Sequence, residues 1–430
     1  MNNIPKRLPA KMMDRAIDTG AILGNPMIQL ELEFPKQLDA ERLSKALDLT
    51  IDAEPILGFR WVAKWLRPYW ERVEERRRDI LLLTSEKTEY EKFMTRSMDL
   101  STGPQIEGCL WRSSDKERLL LKVSHYVADA AGVKDIAAIT SSIYSRLANN
   151  PSYRPEPNLH GSRSIWQVIR HVPWYIYPKL CLEVMRKDRV QSAMNPQTLP
   201  LEDGPRTPLV FIHRFVPADR IARLSDYRKV HNATINDLMM AALLRALVVV
   251  GNWDGQKQLT LNTTVDLRRY IPGQRAKAVT NLSTGIACYP NLGTDLGKDF
   301  ASTLALISTI TRERKANWLG VADLIGWFRL LVLSPHGPAI GMYGNSLKRF
   351  IKSHGIPTSF TNLGLISEDS VIFEKTPLNA RVLPPPAYPP LFGAGISGYA
   401  RCLTISAGVY PSQKQIAERL FDRVLSELPK

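Results

Sequence analysis

The sequence predicts an α/β protein built as two lobes of similar style. The spacing of apolar residues switches repeatedly between a period of two and one of about 3.6, the signatures of strand and helix. The same alternation runs through both halves of the chain, as packed layers of helix and sheet require. Between them lies Asn149 to Pro208, which carries Pro151, Pro155, Pro157, Pro196, Pro200, Pro205 and Pro208 and so interrupts regular structure. The lobes are expected over residues 1–190 and 191–430, and 430 residues are ample for two cores at roughly 100–200 residues each.

The first half opens with a strand, Met27 to Phe34, and a helix, Asp39 to Asp52, with Leu43, Ala46, Leu47 and Thr50 at helical spacing and Asp39 as its cap. Leu57 to Leu66 has a period of two that places Phe59, Trp61, Ala63 and Trp65 on one buried face, with Arg60 and Lys64 opposite. Gln105 to Arg112 and Arg118 to Ser124 form a hairpin turning at Ser113 to Lys116. A helix then follows Asp129, with Val133, Ile136, Ala137, Ile143, Tyr144 and Leu147 on its buried stripe. A further helix, Ile165 to Lys187, sits inside the crossover.

In the second half, Leu209 to Val216 is a strand and Ala218 to Lys229 a helix. Thr234 to Asp237 is a variant capping box that opens a helix running to Val250, and Gly251 ends it. Leu259 to Leu267 is a strand, Ser302 to Arg314 a helix, Arg401 to Tyr410 a strand and Ser412 to Leu428 a closing helix. The apolar helices at Ala322 to Leu333 and Pro338 to Phe350 suit core packing, the wall of an acyl pocket, or contact with a membrane; core packing is favoured.

Composition narrows the function. Met1 to Pro26 lacks the apolar region of a signal peptide, and Leu238 to Val250 is broken by Arg245 and falls short of the ~20 residues that span a bilayer, so a cytoplasmic protein is expected. Cys109, Cys181, Cys288 and Cys402 are widely separated and the seven histidines form no His-x-x-x-His pair, which argues against a metal site or a disulfide framework. The net charge of +15 implies an acidic partner: nucleic acid, anionic lipid, or a phosphate-bearing carrier such as coenzyme A or an acidic carrier protein. Arg60 to Arg78 interleaves Trp61, Trp65, Tyr69 and Trp70 with basic residues, but Glu71, Glu74 and Glu75 dilute the charge, so nucleic acid is disfavoured.

Chemistry concentrates in Ser124-His-Tyr-Val-Ala-Asp-Ala-Ala-Gly132, where a histidine ends an apolar strand and an aspartate four residues later opens a helix. Neutral imidazole has the basicity to take a proton from a hydroxyl or amine near neutral pH. A strand cap at His125 and a helix cap at Asp129 would produce the same spacing without chemistry. Gly393 to Gly398 fits a dinucleotide-binding pattern but follows a proline-rich loop and precedes a β-like run, so it is set aside. The Asn-x-Ser/Thr sequences at Asn232, Asn262 and Asn281 carry no meaning in a cytosolic protein.

The segment resembles the His-His-x-x-x-Asp-Gly motif of the condensation-domain and CoA-dependent acyltransferase superfamily, with His125 at the catalytic histidine and Asp129 at the aspartate. The likeness extends along the chain. Leu38-Asp-Ala-Glu-Arg-Leu and Glu54-Pro-Ile-Leu-Gly-Phe-Arg resemble the family's opening, and Asp99-Leu-Ser-Thr-Gly-Pro-Gln-Ile the approach to the motif strand. Asn236-Asp237, Val265-Asp-Leu-Arg268 with Asn281-Leu-Ser283, and Ser359-Phe-Thr-Asn-Leu-Gly364 resemble signatures of its C-terminal half. Two positions depart: Ser124 replaces the first histidine, and Ala130 replaces the glycine, which would strain the turn if φ there were positive.

The resemblance implies two chloramphenicol-acetyltransferase-like lobes with an active-site tunnel at their interface, and thioester-dependent acyl transfer by direct attack. His125 would be the general base, supported by Ser124 and by an Asp129–Arg268 pair; Asn281, Ser359 and Asn362 would contact substrate. The donor would be a CoA or phosphopantetheine thioester, with no tightly bound cofactor and no metal. Partners would be an acyl-CoA or an acyl or peptidyl carrier protein and a small-molecule acceptor, with membrane contact peripheral at most. With Ser124 and Ala130 altered, a docking module without chemistry is the rival reading.

Overall fold

A computed structural model describes residues 4–35, 38–73, 80–192 and 194–430. The expectations placed on Glu74, Glu75 and residues 76–78 lie outside them. In chain order the first half forms β1 (Arg7–Pro9), α1 (Met12–Gly20), β2 (Met27–Phe34), α2 (Ala40–Ala53), β3 (Phe59–Val62), β4 (Tyr69–Arg72) and β5 (Leu81–Thr84). It continues with α3 (Lys87–Thr95), β6 (Ile106–Arg112), β7 (Glu117–Ser124) and α4 (Ala130–Asn149). The crossover holds α5 (Trp166–Ile169) and α6 (Tyr177–Ser192). The second half forms β8 (Val210–Val216), α7 (Ala218–Val230), α8 (Ile235–Val250), β9 (Asn262–Asp266), β10 (Ser283–Ile286), α9 (Phe300–Lys315), α10 (Val321–Leu333) and α11 (His336–His354). It closes with β11 (Ser359–Leu365), β12 (Asn379–Leu383), β13 (Gly393–Tyr399), β14 (Cys402–Val409) and α12 (Pro411–Glu427).

Short polar side chains start the helices. Asp39 accepts from Arg42 N–H, and Asp129 from Gly132 N–H, each satisfying an orphan donor of the first turn. The Thr234–Asp237 box closes in both directions, at 3.2 Å and 2.8 Å. Helix α8 is apolar nearly all round and is buried among α9, α12 and the second sheet. Among the described residues no single helix is long and apolar enough to cross a membrane; α7 and α8 together pass by length and composition, bent by 97°.

Each lobe is organised by one sheet. The first has strand order β12-β2-β7-β6-β5, antiparallel except for the parallel β5/β6 edge, and the second has order β10-β9-β11-β13-β14-β8. A small antiparallel sheet, β1-β4-β3, flanks the first. In β2 the period of two sends Ile28, Leu30, Leu32 and Phe34 into the core with α2 and α4. The alternate residues Gln29 and Glu31 are also buried, beneath α3, where Gln29 donates to Met94 O and Glu31 accepts from Tyr90 OH.

Four expectations are corrected. The division at residue 190 does not separate the sheets, because β12, from far beyond it, pairs with β2 in the first sheet from Asn379↔Glu33 to Leu383↔Gln29. The helix expected over Ile165 to Lys187 is interrupted at Pro173, which cannot donate to a continuing helix; a short 3₁₀ turn, Trp174–Ile176, leads into α6. The strand expected through Leu66 stops at Val62: Trp61 is buried on Trp70 at 4.9 Å, whereas Ala63 to Arg67 are all exposed. Core packing also fails to describe α10 and α11 fully, since α11 buries only His336 and Ala339.

Glu31 and Arg381 form a buried pair at 2.6 Å that fastens β12 to β2. Arg381→Met should destabilise the protein by roughly 3 kcal/mol in chemical denaturation, since it strands a buried carboxylate, and adding Glu31→Gln should recover part of the loss. A loss below roughly 1 kcal/mol would show that Arg118, 3.9 Å from the same carboxylate, and the Tyr90 hydroxyl hold Glu31 without Arg381.

Candidate functional site

His125 follows directly on β7, where the first sheet ends in a tight turn. Its backbone N–H donates to Pro26 O at 2.9 Å, fixing the residue beside the start of β2. The half-buried ring places Nδ1 2.9 Å from the carbonyl oxygen of Ala128. A carbonyl can only accept, so Nδ1 carries the proton and the lone pair of the neutral ring lies on Nε2. Burial holds the imidazole pKa below its ordinary value, against the opposing pull of the Ala128 carbonyl and of Asp129. The ring is therefore a free base at neutral pH.

Asp129 does not touch the imidazole; it builds the turn. Oδ1 caps α4, and Oδ2 accepts from Arg268 Nη1 at 2.8 Å, Leu282 N–H at 2.8 Å and Ser283 Oγ–H at 2.9 Å. Arg268 in turn donates to Asp266 at 3.1 Å and to Thr280 O at 3.0 Å. Both partners of the ion pair are almost wholly buried. Burial alone would raise the carboxyl pKa, but Arg268 and the hydrogen bonds outweigh it and hold Asp129 at about 2.

Asn281 completes the clamp. It is buried, and its Nδ2 donates to His125 O at 2.8 Å and Tyr126 O at 3.2 Å, while its Oδ1 has no partner among the described residues. The segment 280–283 of the second half thus grips the turn of the first. Ser124 is fully buried and accepts from Tyr126 N–H at 3.2 Å, so it shapes the same turn. Ser359 and Asn362 lie on β11; Ser359 pairs with Asn262 and Gly393, and exposed Asn362 donates to Asn236. No hydrogen bond among the described residues joins either to His125. Their strand meets the turn's helix through Lys134 on α4, which donates to Leu363 O and Leu365 O.

The strain feared at Ala130 is absent, because it is the first residue of α4 and its φ is not positive. The tight position is Gly132, where a Cβ would stand 3.0 Å from the Ala128 Cβ and 3.2 Å from Thr280 O. Two supports escaped the sequence. Tyr126 OH donates to Asp18 at 2.5 Å, and Asp18 also meets His336 Nε2 at 2.5 Å, linking the turn to α1 and α11. Arg163 bridges Asp14, Val127 O and Val279 O. No local pattern marks these pairs, whose members are far apart in the chain. Among the described residues no group of three His, Cys, Asp or Glu side chains is placed to hold a metal ion.

No protein-family model matches the sequence, and no curated protein matches it. Solved structures match in fold over nearly the whole chain. The first condensation domain of the calcium-dependent antibiotic synthetase, in complex with a substrate analogue, is 14% identical with a TM-score of 0.72, covering 97% of this chain and 95% of that one. The epimerization domain from the third module of tyrocidine synthetase B is 14% identical with a TM-score of 0.67, over 99% and 96%. Polyketide synthase associated protein 5 from Mycobacterium tuberculosis is 13% identical with a TM-score of 0.66, over 97% and 98%. These likenesses and the sheet orders define a two-lobed α/β protein whose halves meet at a histidine-bearing turn. The fold is that of these condensation and epimerization domains.

Asp129→Ala and Arg268→Ala should each cost roughly 3 kcal/mol or more, because either strands a buried charge, and the double variant should lose much less than the sum. Strictly additive losses in urea unfolding would show that the pair does not interact. The carboxyl pKa is depressed from 3.8 to about 2, so its stabilisation is complete above the unfolded value and fades as pH falls through the folded one. Wild type should accordingly lose on the order of 2 kcal/mol between pH 5 and pH 2 that Asp129→Asn does not.

Proposed function

We propose that the protein is an acyltransferase that moves an acyl group from a CoA or carrier-protein thioester to a hydroxyl or amine acceptor. The observation that carries this reading is the 2.9 Å approach of His125 Nδ1 to the Ala128 carbonyl oxygen, which assigns the tautomer. The ring Nδ1–H is engaged by Ala128 O within a turn clamped by Asp129, Arg268 and Asn281, so Nε2 is the basic atom. The acceptor's O–H or N–H proton passes to Nε2 as its heteroatom attacks the thioester carbon. The tetrahedral intermediate then collapses, the C–S bond breaks, and the thiolate takes the proton back from the imidazolium. Holding both reactants in one site supplies much of the acceleration.

The lowered pKa supports this role, since a histidine that is neutral at physiological pH needs no prior deprotonation. Ser124, buried and bonded to the backbone, has a structural task and replaces the usual first histidine without removing the base. The condensation-domain fold and the excess positive charge favour a donor bearing phosphate, whether coenzyme A or a phosphopantetheine arm on a carrier protein. Ser359 and Asn362 on β11 are the proposed substrate contacts of the second lobe.

Incubation with panels of acyl-CoAs, acyl carrier proteins and amine or alcohol acceptors, read by mass spectrometry, tests the activity; no acylated product from any pair would favour the docking module. His125→Ala should lower turnover by roughly 10²–10⁴-fold, and Ser124→Ala far less. The acid limb of kcat/KM should fall below the ordinary histidine value of about 6.5, since the free base persists to lower pH. Donor KM should rise with salt while turnover holds, because phosphate contacts at an exposed mouth are screened over ~8 Å at physiological ionic strength.

A further inference from the structure

The loop after β3 and the corner between α10 and α11 are joined backbone to backbone. Gly337 N–H donates to Trp65 O at 2.8 Å, and His336 N–H to Leu66 O at 3.1 Å. The Trp65 ring lies so close to Gly337 that a Cβ there would meet it at 2.6 Å. The two segments therefore form one joined corner. Its large apolar side chains face outward: Trp65 is 68% exposed, Leu66 58%, Val332 51% and Leu333 75%. Folding does not require them there, because Trp61, Trp70 and Leu331 of the same segments supply the buried contacts.

Charge selects the occupant. No Asp or Glu occurs from Pro55 to Trp70, nor from Leu324 to Ser367, the two stretches that meet at the corner. Lys64 and Arg67 flank Trp65 and Leu66, and both are exposed. Farther along α11, the exposed Lys348, Arg349 and Lys352 continue the positive surface, while Ile340 and Met342 add exposed apolar groups on its first turns. An exposed tip of Trp and Leu flanked by Lys64 and Arg67, where the nearby Asp18 carboxylate is already engaged by Tyr126 and His336, matches the boundary of an anionic bilayer. There the aromatic and aliphatic groups enter the headgroup and acyl region, and each cation near the surface gains attraction to lipid phosphate.

We propose that this corner anchors the protein peripherally to an anionic lipid surface, with Trp65, Leu66 and Leu333 inserted and Lys64 and Arg67 on the headgroups. The test is co-sedimentation of the full chain with phosphatidylcholine vesicles, with and without phosphatidylglycerol at roughly 30%. Wild type should pellet with the anionic vesicles and weaken several-fold without the anionic lipid. The combined Trp65→Ser, Leu66→Ser and Leu333→Ser variant should bind at least about tenfold more weakly at an unchanged melting temperature. Lys64→Gln with Arg67→Gln should weaken binding to anionic vesicles several-fold and blunt its salt dependence. A wild-type chain that stays in the supernatant with every vesicle overturns the proposal and leaves the corner to an acidic protein partner. Equal binding by the apolar variant overturns it too, since that would mark general adsorption of a chain of charge +15.

Discussion

Two opposite charges buried 2.8 Å apart, one on each half of the chain, cannot separate without each being left in a medium that solvates it poorly. Asp129 and Arg268 are in that position, and the rest of the site is arranged around them. The carboxylate that meets Arg268 also caps α4 and receives two donors from 282–283, so helix start, turn and second lobe share one anchor. Such a network specifies geometry more than it stabilises: an apolar replacement of matching shape would cost little energy but would leave the turn without its register. The catalytic reading of His125 depends on that register, because the ring is useful only while Ala128 O holds its Nδ1 side.

The same burial acts in opposite directions on neighbouring groups. It lowers the pKa of His125, where nothing of comparable strength offsets it, and is overridden at Asp129 by a cation and several hydrogen bonds. A neutral base and a permanent anion therefore coexist within four residues. The carboxylate is too committed to other donors to orient the imidazole directly, and the backbone carbonyl of Ala128 does so instead.

Most of the fold was legible because periodicity reports burial. The strands at Met27–Phe34 and Glu117–Ser124, the caps at Asp39, Asp129 and Thr234, and the apolar α8 all follow from local pattern. What failed did so for tertiary reasons. The period of two runs on through Trp65 in the sequence, but beyond Val62 the backbone bonds at Trp65 and Leu66 go to the start of α11, and the side chains turn outward. Strand β12 is followed at once by Pro384, Pro385 and Pro386 and is too short to stand out, so its pairing with β2 could not be read locally. In the site, His125 and Asp129 were visible together, and Arg268 and Asn281 only through resemblance. Asp18 and His336 were invisible, since 318 positions separate two residues with no shared motif.

Strand β12 also sets a schedule for biosynthesis. Glu31 and Arg381 are separated by 350 positions. At translation rates of about 5–20 residues per second, the partner edge of β2 emerges roughly 20–70 s after β2 itself. During that interval the first lobe holds an apolar sheet with β2 as an additional open edge, the kind of surface that recruits strands from other nascent chains. The buried Glu31 carboxylate likewise waits for Arg381, with Arg118 and the Tyr90 hydroxyl beside it. The β2 edge thus needs protection until about the last eighth of the chain arrives, and an expression fragment ending before Asn379 would carry that open edge permanently.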